Sequence, residues 1–206
     1  MAPRDGRCKV NMKDISLIGF MGCGKSSVGK ILATLLPECR LIDLDTYIEE
    51  KQGKNIPEIF NEYGEAAFRR MEREALEEIF SDKSRPRAIL SLGGGTVTSE
   101  QCRQLIRQHT DCFYLRATTD TLLDNLEGHS DGRPMLNPTQ PVEAQSTETS
   151  SEREALRRRI ESLMQTRSPQ YLATAHHIID INGQTFAQIA ALIISAVEVN
   201  TLNIKR

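Results

Sequence analysis

The chain has 206 residues, a length suited to one globular domain that buries a full core without disulfide support. Its 26 basic and 28 acidic residues leave a formal charge of −2, so no overall field points to nucleic acid or a membrane surface. No apolar run reaches the ~18–20 residues that cross a bilayer, and five scattered cysteines without metal-ligand spacing read as free thiols of a reducing, cytoplasmic compartment.

Residues 1–13 carry Arg4, Arg7, Lys9 and Lys13 with no apolar segment behind them, which predicts a frayed tail rather than a secretory leader. A single domain is expected over 14–198, with 199–206 a second tail. Within it, short apolar runs alternate with amphipathic stretches, the pattern of a parallel α/β sheet. Ile15–Ile18 is the first expected strand. It leads into Gly19-Phe20-Met21-Gly22-Cys23-Gly24-Lys25-Ser26, which fits G-x-x-x-x-G-K-[ST], and a helix is expected to follow, to Leu36. In that setting successive backbone N–H groups and the positive end of the new helix face one anion. Lys25 can then bridge the outer phosphates of a nucleotide, and the Ser26 hydroxyl can ligate Mg²⁺.

The second strand, 40–42, runs into Asp43-Leu44-Asp45. On an extended chain these two carboxylates share a face at the carboxyl end of the sheet. One can hold a water of the metal shell while the other accepts a hydrogen bond from an acceptor hydroxyl. From Glu65 to Phe80 the spacing of Phe68, Met71, Ala75, Leu76, Ile79 and Phe80 predicts a helix with one buried stripe. Arg69 lies beside that stripe, and Glu72, one turn on, can brace its guanidinium as a fork for a carboxylate. Ala88–Leu92 is the third strand. The Gly93-Gly94-Gly95 run at its end implies close approach to the backbone.

A helix over 99–108, a strand over 112–115 and a helix over 118–126 come next. Residues 137–151 are polar and rich in Pro, Thr and Ser; they read as a long surface loop, either a plain connector or an active-site lid. Gly132-Arg133-Pro134 lies at its edge. A helix over 152–166 precedes Arg167-Ser168-Pro169-Gln170-Tyr171, then come a strand over 178–181 and a last helix over 185–198. The strands are too continuously apolar to leave a wet face, so helices should cover both sides: a three-layer α/β/α domain on a five-stranded parallel sheet.

Taken as an ordered set, G-F-M-G-C-G-K-S-S, L-I-D-L-D, F-R-R-M-E, S-L-G-G-G, G-R-P-M-L and R-S-P-Q-Y closely resemble the shikimate kinase family, across roughly 15–198. The resemblance implies a P-loop kinase with a mobile lid at about 128–151, acting as a monomer on shikimate in aromatic amino acid biosynthesis, with ATP as donor and Mg²⁺ as cofactor. It implies ATP contacts at Gly22, Cys23, Gly24, Lys25, Ser26, Ser27, Arg133 and Gln184, and metal contacts at Ser26 and Asp43. Asp45 corresponds to the acid that meets the acceptor hydroxyl. Arg69 and Arg167 correspond to the arginines on the shikimate carboxylate, Gly93, Gly94 and Gly95 to the substrate-facing run, and Arg133 to the lid arginine. Lys25, Asp45 and Arg133 are thereby the expected catalytic residues. Leu126 stands where the family commonly carries an Arg. Two alternatives remain open at this point: another small-molecule kinase such as a gluconate kinase, and an inactive binding protein of the same fold.

Overall fold

A computed structural model of the chain describes residues 13–126 and 148–203. Five parallel strands, β1 (Asp14–Ile18), β2 (Arg40–Asp43), β3 (Ala88–Ser91), β4 (Thr110–Arg116) and β5 (His177–Asp180), lie in the order β2-β3-β1-β4-β5. The helices are α1 (Lys25–Leu35), α2 (Leu44–Gln52), α3 (Ile56–Ser81), α4 (Glu100–His109), α5 (Thr119–Leu126), α6 (Glu148–Thr174) and α7 (Phe186–Asn203).

Side chains along the central strands divide by the period of two that a pleated strand imposes. Ile15 and Leu17 of β1, Ile89 of β3, and Phe113 and Leu115 of β4 meet Val28 and Leu32 of α1 and Ile189 and Ile193 of α7. Ile18, Leu90, Cys112 and Tyr114 face the other way, onto Phe68, Leu76 and Ile79 of α3 and Ile106 of α4. Both faces of the sheet are therefore covered, as the sequence predicts.

This winding places the site. The chain leaves β1 for α1 on one face and leaves β3, its neighbour, for α4 on the other. The carboxyl ends of two adjacent strands thus open away from each other, the crevice in which α/β folds bind ligands.

Five sequence expectations need correction. Residues 41–45 are not one extended segment: β2 stops at Asp43, whose side chain accepts from the N–H groups of Asp45 (3.2 Å) and Thr46 (3.5 Å) and so caps α2. That helix has only Leu44 and Ile48 buried, too sparse a stripe to read from sequence. The helix expected from Glu65 is preceded by about two further turns beginning at Ile56, with an Asn55–Glu58 capping box; Gly64, at φ 75° and ψ 170°, breaks the two. Residues 148–151, assigned to the polar loop, are already helical, and the remainder of the expected lid lies outside the described residues. Finally, Arg167–Tyr171 does not follow the preceding helix but lies within α6, Pro169 included. A proline there costs a helical hydrogen bond, and full burial of the Tyr171 ring offsets it. At the C-terminal end, α7 continues to Asn203, through part of the expected tail.

Candidate active site

The loop between β1 and α1 forms a cradle whose last residue, Gly24, is the N-cap of α1 at φ 87°, a conformation L side chains rarely adopt. No side chain caps this helix, so the N–H groups of its first turn, at Lys25, Ser26 and Ser27, are open to an anion. The Lys25 ammonium folds back on the cradle, donating to the carbonyls of Gly19 (2.9 Å) and Phe20 (3.0 Å). Cys23 contributes backbone only: its thiol is buried in the core, 3.8 Å from the Lys25 nitrogen.

In front of the cradle lies a cavity of about 580 Å³. Gly22, Gly24, Lys25, Ser26 and Ser27 of the cradle line it, together with Asp43, Asp45, Gly93 and Gly94. The Ser26 hydroxyl donates to Asp43 Oδ2 at 2.7 Å and lies 3.2 Å from the Ser91 hydroxyl. Asp45 is different. Its Oδ1 is buried without a hydrogen-bond partner, and desolvation, then the neighbouring charges of Glu72 and Asp43, push its pKa up to about 7.

The glycine run joins this cavity to both arginines. A Cβ on Gly93 would come within 2.9 Å of Asp45 Oδ1 and 3.0 Å of Glu72 Oε1. One on Gly95 would collide with the Arg69 guanidinium. The Gly94 carbonyl accepts from Tyr171 Oη at 2.5 Å and from Arg167 Nη1 at 3.4 Å. Arg69 is held on two edges: Nη1 donates to Glu72 Oε2 at 2.6 Å, while Nε and Nη2 donate to Glu65 Oε1 at 3.3 and 2.9 Å. Glu72 is fully buried and takes the Thr96 hydroxyl on its other oxygen. Residues from three distant parts of the chain thus converge on one turn beside the cradle.

Two expected residues do not join them. Arg133 lies outside the described residues. Gln184 is not in the cavity wall; its amide donates to the Asp180 carbonyl, next to the outer edge strand β5. Leu126 is wholly buried and packs against Gly22. Asn125 beside it donates to the Gly22 carbonyl at 2.9 Å. The residues sequence reasoning missed are Ser91, Thr96, Asn125, Tyr171 and Phe186. Phe186 is 41% exposed, lines the cavity and lies against Gly24. An aromatic at the start of an apolar helix reads as core, so only its position across from the cradle reveals it.

A doubly wound parallel sheet with a Gly-Lys-Ser cradle at its switch point, facing carboxylates and braced arginines, defines a P-loop kinase of small molecules. Comparison with known proteins narrows this further. The chain belongs to the shikimate kinase family, whose model matches residues 21–198. It is 40% identical over 158 residues to the shikimate kinase of Chlorobaculum tepidum, covering 77% of this chain and 76% of that protein. With the shikimate kinase of Thermodesulfovibrio yellowstonii it shares 35% identity over 187 residues, 91% and 96% of the two chains. Among solved structures, the Acinetobacter baumannii shikimate kinase, determined in complex with shikimate, matches with a TM-score of 0.75 at 30% identity over 92% of this chain and 94% of that one. The Bacteroides thetaiotaomicron shikimate kinase gives 0.71 at 28% identity over 95% and 99%.

Proposed function

We propose that the protein transfers the γ-phosphoryl group of ATP to the 3-hydroxyl of shikimate, giving shikimate 3-phosphate and ADP, a step toward chorismate and the aromatic amino acids. The observation that carries this reading is the meeting of Asp45, Arg69 and Arg167 on the Gly93–Gly95 turn, whose Gly93 and Gly94 line the same cavity as Lys25 and Asp45. A neutral polyol acceptor would give no reason to bury two guanidinium groups there. A carboxylate does, because each guanidinium presents a planar fork of donors to it.

The roles follow from placement. Cradle N–H groups and Lys25 hold the triphosphate, the ammonium exchanging its carbonyl partners for phosphate oxygens. Arg69 and Arg167 take the acceptor carboxylate, which turns a ring hydroxyl toward Asp45. Asp45 Oδ1 accepts that hydroxyl, and with a pKa of about 7 it can take the proton as the new P–O bond forms. Arg133 belongs to this proposal as the cation reaching the transferring group from the lid, where closure would exclude water. Phe186 offers its exposed face to the adenine. Ser26 and Asp43, oxygen donors 2.7 Å apart, fit the hard-oxygen preference of Mg²⁺, the serine as ligand and the aspartate through a water. Bound there, Mg²⁺ would draw charge from the β- and γ-phosphate oxygens.

The same reading makes the protein a cytoplasmic monomer with no nucleic-acid or membrane partner. The four described cysteines are free and buried, in keeping with a reducing compartment. Among the described residues no helix is long and apolar enough to cross a membrane.

The test is ADP release measured with shikimate, with gluconate or without acceptor, each with and without Mg²⁺. Turnover that requires both shikimate and the metal is the expected result. Turnover on gluconate alone, or nucleotide binding without turnover, would reject the assignment.

A further inference from the structure

The glycine run is a β-turn. Thr96 N–H donates to the Gly93 carbonyl at 3.1 Å, with Gly94 and Gly95 at the corners. Gly95 sits at φ −106° and ψ −5°, the backbone of the third position of a type I turn. The type II alternative differs by reversal of the central peptide, between Gly94 and Gly95, and needs a positive φ at the third position. Glycine there leaves both forms open to the backbone. In the reversed form the Gly94 carbonyl and the Gly95 N–H would exchange directions, altering what the turn presents to a ligand.

What selects one form lies on α6. Tyr171 is fully buried, and its hydroxyl donates to the Gly94 carbonyl at 2.5 Å. Arg167, one helical turn earlier, reaches the same carbonyl at 3.4 Å. The Tyr171 ring stacks on Tyr114 of β4 with centroids 4.9 Å apart, which packs one face of the phenol against the sheet. The carbonyl it holds belongs to the one peptide unit whose reversal separates the two turn types. We propose that Tyr171 is a positioning residue, a latch that keeps the central peptide of the Gly93–Thr96 turn in its type I form and thereby sets the acceptor-binding surface and the orientation of Arg167. A buried tyrosine on a helix has a plainer role, filling the core between α6 and the sheet. Only the latch predicts an effect of the hydroxyl alone.

The proposal rests on the turn being the acceptor's contact surface, and the experiment separates the two. Tyr171→Phe keeps the stacked ring and removes only the donor. Tyr114→Phe is the control: it trims the other ring of the same stacked pair, while the Gly94 carbonyl keeps both of its donors, Tyr171 and Arg167. The latch predicts that Tyr171→Phe raises the KM for shikimate about fivefold, the loss of one hydrogen bond, with the KM for ATP unchanged. Tyr114→Phe should move neither. In the free protein, ¹⁵N relaxation dispersion should show microsecond-to-millisecond exchange at the Gly94 and Gly95 amides in Tyr171→Phe and in neither other form. That exchange would support the latch whatever the acceptor proves to be. Quiet amides in Tyr171→Phe, or equal KM changes in both variants, would overturn it. A wild-type protein inactive on shikimate would reject the function and leave the dispersion result to decide the latch.

Discussion

Arg69 Nη1 lies 2.6 Å from Glu72 Oε2, and the glutamate is wholly buried while the arginine is 15% exposed. The pair is therefore built from the inside outward, with the anion fixed in the interior and the cation on its more exposed side. Removing one member of such a pair leaves a buried charge unmatched, typically at about 3–5 kcal/mol. Glu72→Ala should lower stability by about that amount in urea titration. It should also raise the shikimate KM by at least about tenfold, the equivalent of one charge-assisted hydrogen bond, while the KM for ATP holds. An unchanged acceptor KM would mean that Arg69 does not depend on Glu72 for its position.

Asp45 ties stability and activity together through pH. Its folded pKa of about 7 stands above the ordinary aspartate value of 3.8, because burial and the charges of Glu72 and Asp43 disfavour the anion. Between about pH 4 and 7 the folded protein retains a proton that the unfolded chain has released. Stability from this group is present in full below that window and declines as pH rises through it, with no further loss above. Asp45→Asn should thus melt at a higher temperature than the parent at pH 8, by roughly 2–4 °C for each kcal/mol relieved, and at the same temperature at pH 4. Turnover should move the other way: kcat/KM for shikimate rises through an apparent pKa near 7 in the parent and falls by about 100-fold or more in Asp45→Asn, the usual worth of a general base. A flat pH profile up to 8 would remove Asp45 from that role.

Much of this site is legible in the sequence, for reasons that differ by residue. The cradle is contiguous, and a motif whose function depends on successive N–H groups has to be. Arg69 and Glu72 are one helical turn apart, so helical geometry alone pairs them. The convergence of Arg167 with Arg69 and Asp45 is different. No local rule links positions so far apart, and only the family's ordered motif set suggested it. The misreading of Asp43–Asp45 has a local cause: an aspartate ending a strand and capping a helix looks, in sequence, like an aspartate within a strand. Tyr171 and Phe186 were missed because buried and half-exposed aromatics give the same apolar signal. What separates them is the partner each meets across the fold.

Gly95 offers a test of how tightly the turn and Arg69 are fitted. Its missing side chain is the space the guanidinium occupies. Gly95→Ala should displace Arg69 from Glu72 and raise the shikimate KM by at least about tenfold, with ATP binding by equilibrium titration unchanged. Gly24→Ala is the converse. A Cβ there would meet the Phe186 ring at 2.5 Å, on a backbone at φ 87°, so this variant should lose nucleotide binding and leave Arg69 untouched. If either substitution impairs both ligands equally, the two halves of the cavity are not separable.

The grip on adenine gives the last prediction. The family commonly carries an Arg at the position of Leu126, yet here that side chain is fully buried under Gly22 and does not line the cavity. Restoring the charge by Leu126→Arg would place a cation among the core residues Leu122, Leu123 and Ile160. The expected result is a loss of stability of several kcal/mol with no gain in ATP affinity. Phe186, 41% exposed, is an aromatic surface open to the base where it lines the cavity beside Gly24. Phe186→Ala should raise the KM for ATP by about 5–10-fold, in line with ~1–3 kcal/mol per stacked base, and Phe186→Trp should preserve it. Shikimate KM should hold in both. Equal ATP affinity in the parent and Phe186→Ala would show that the adenine is held elsewhere.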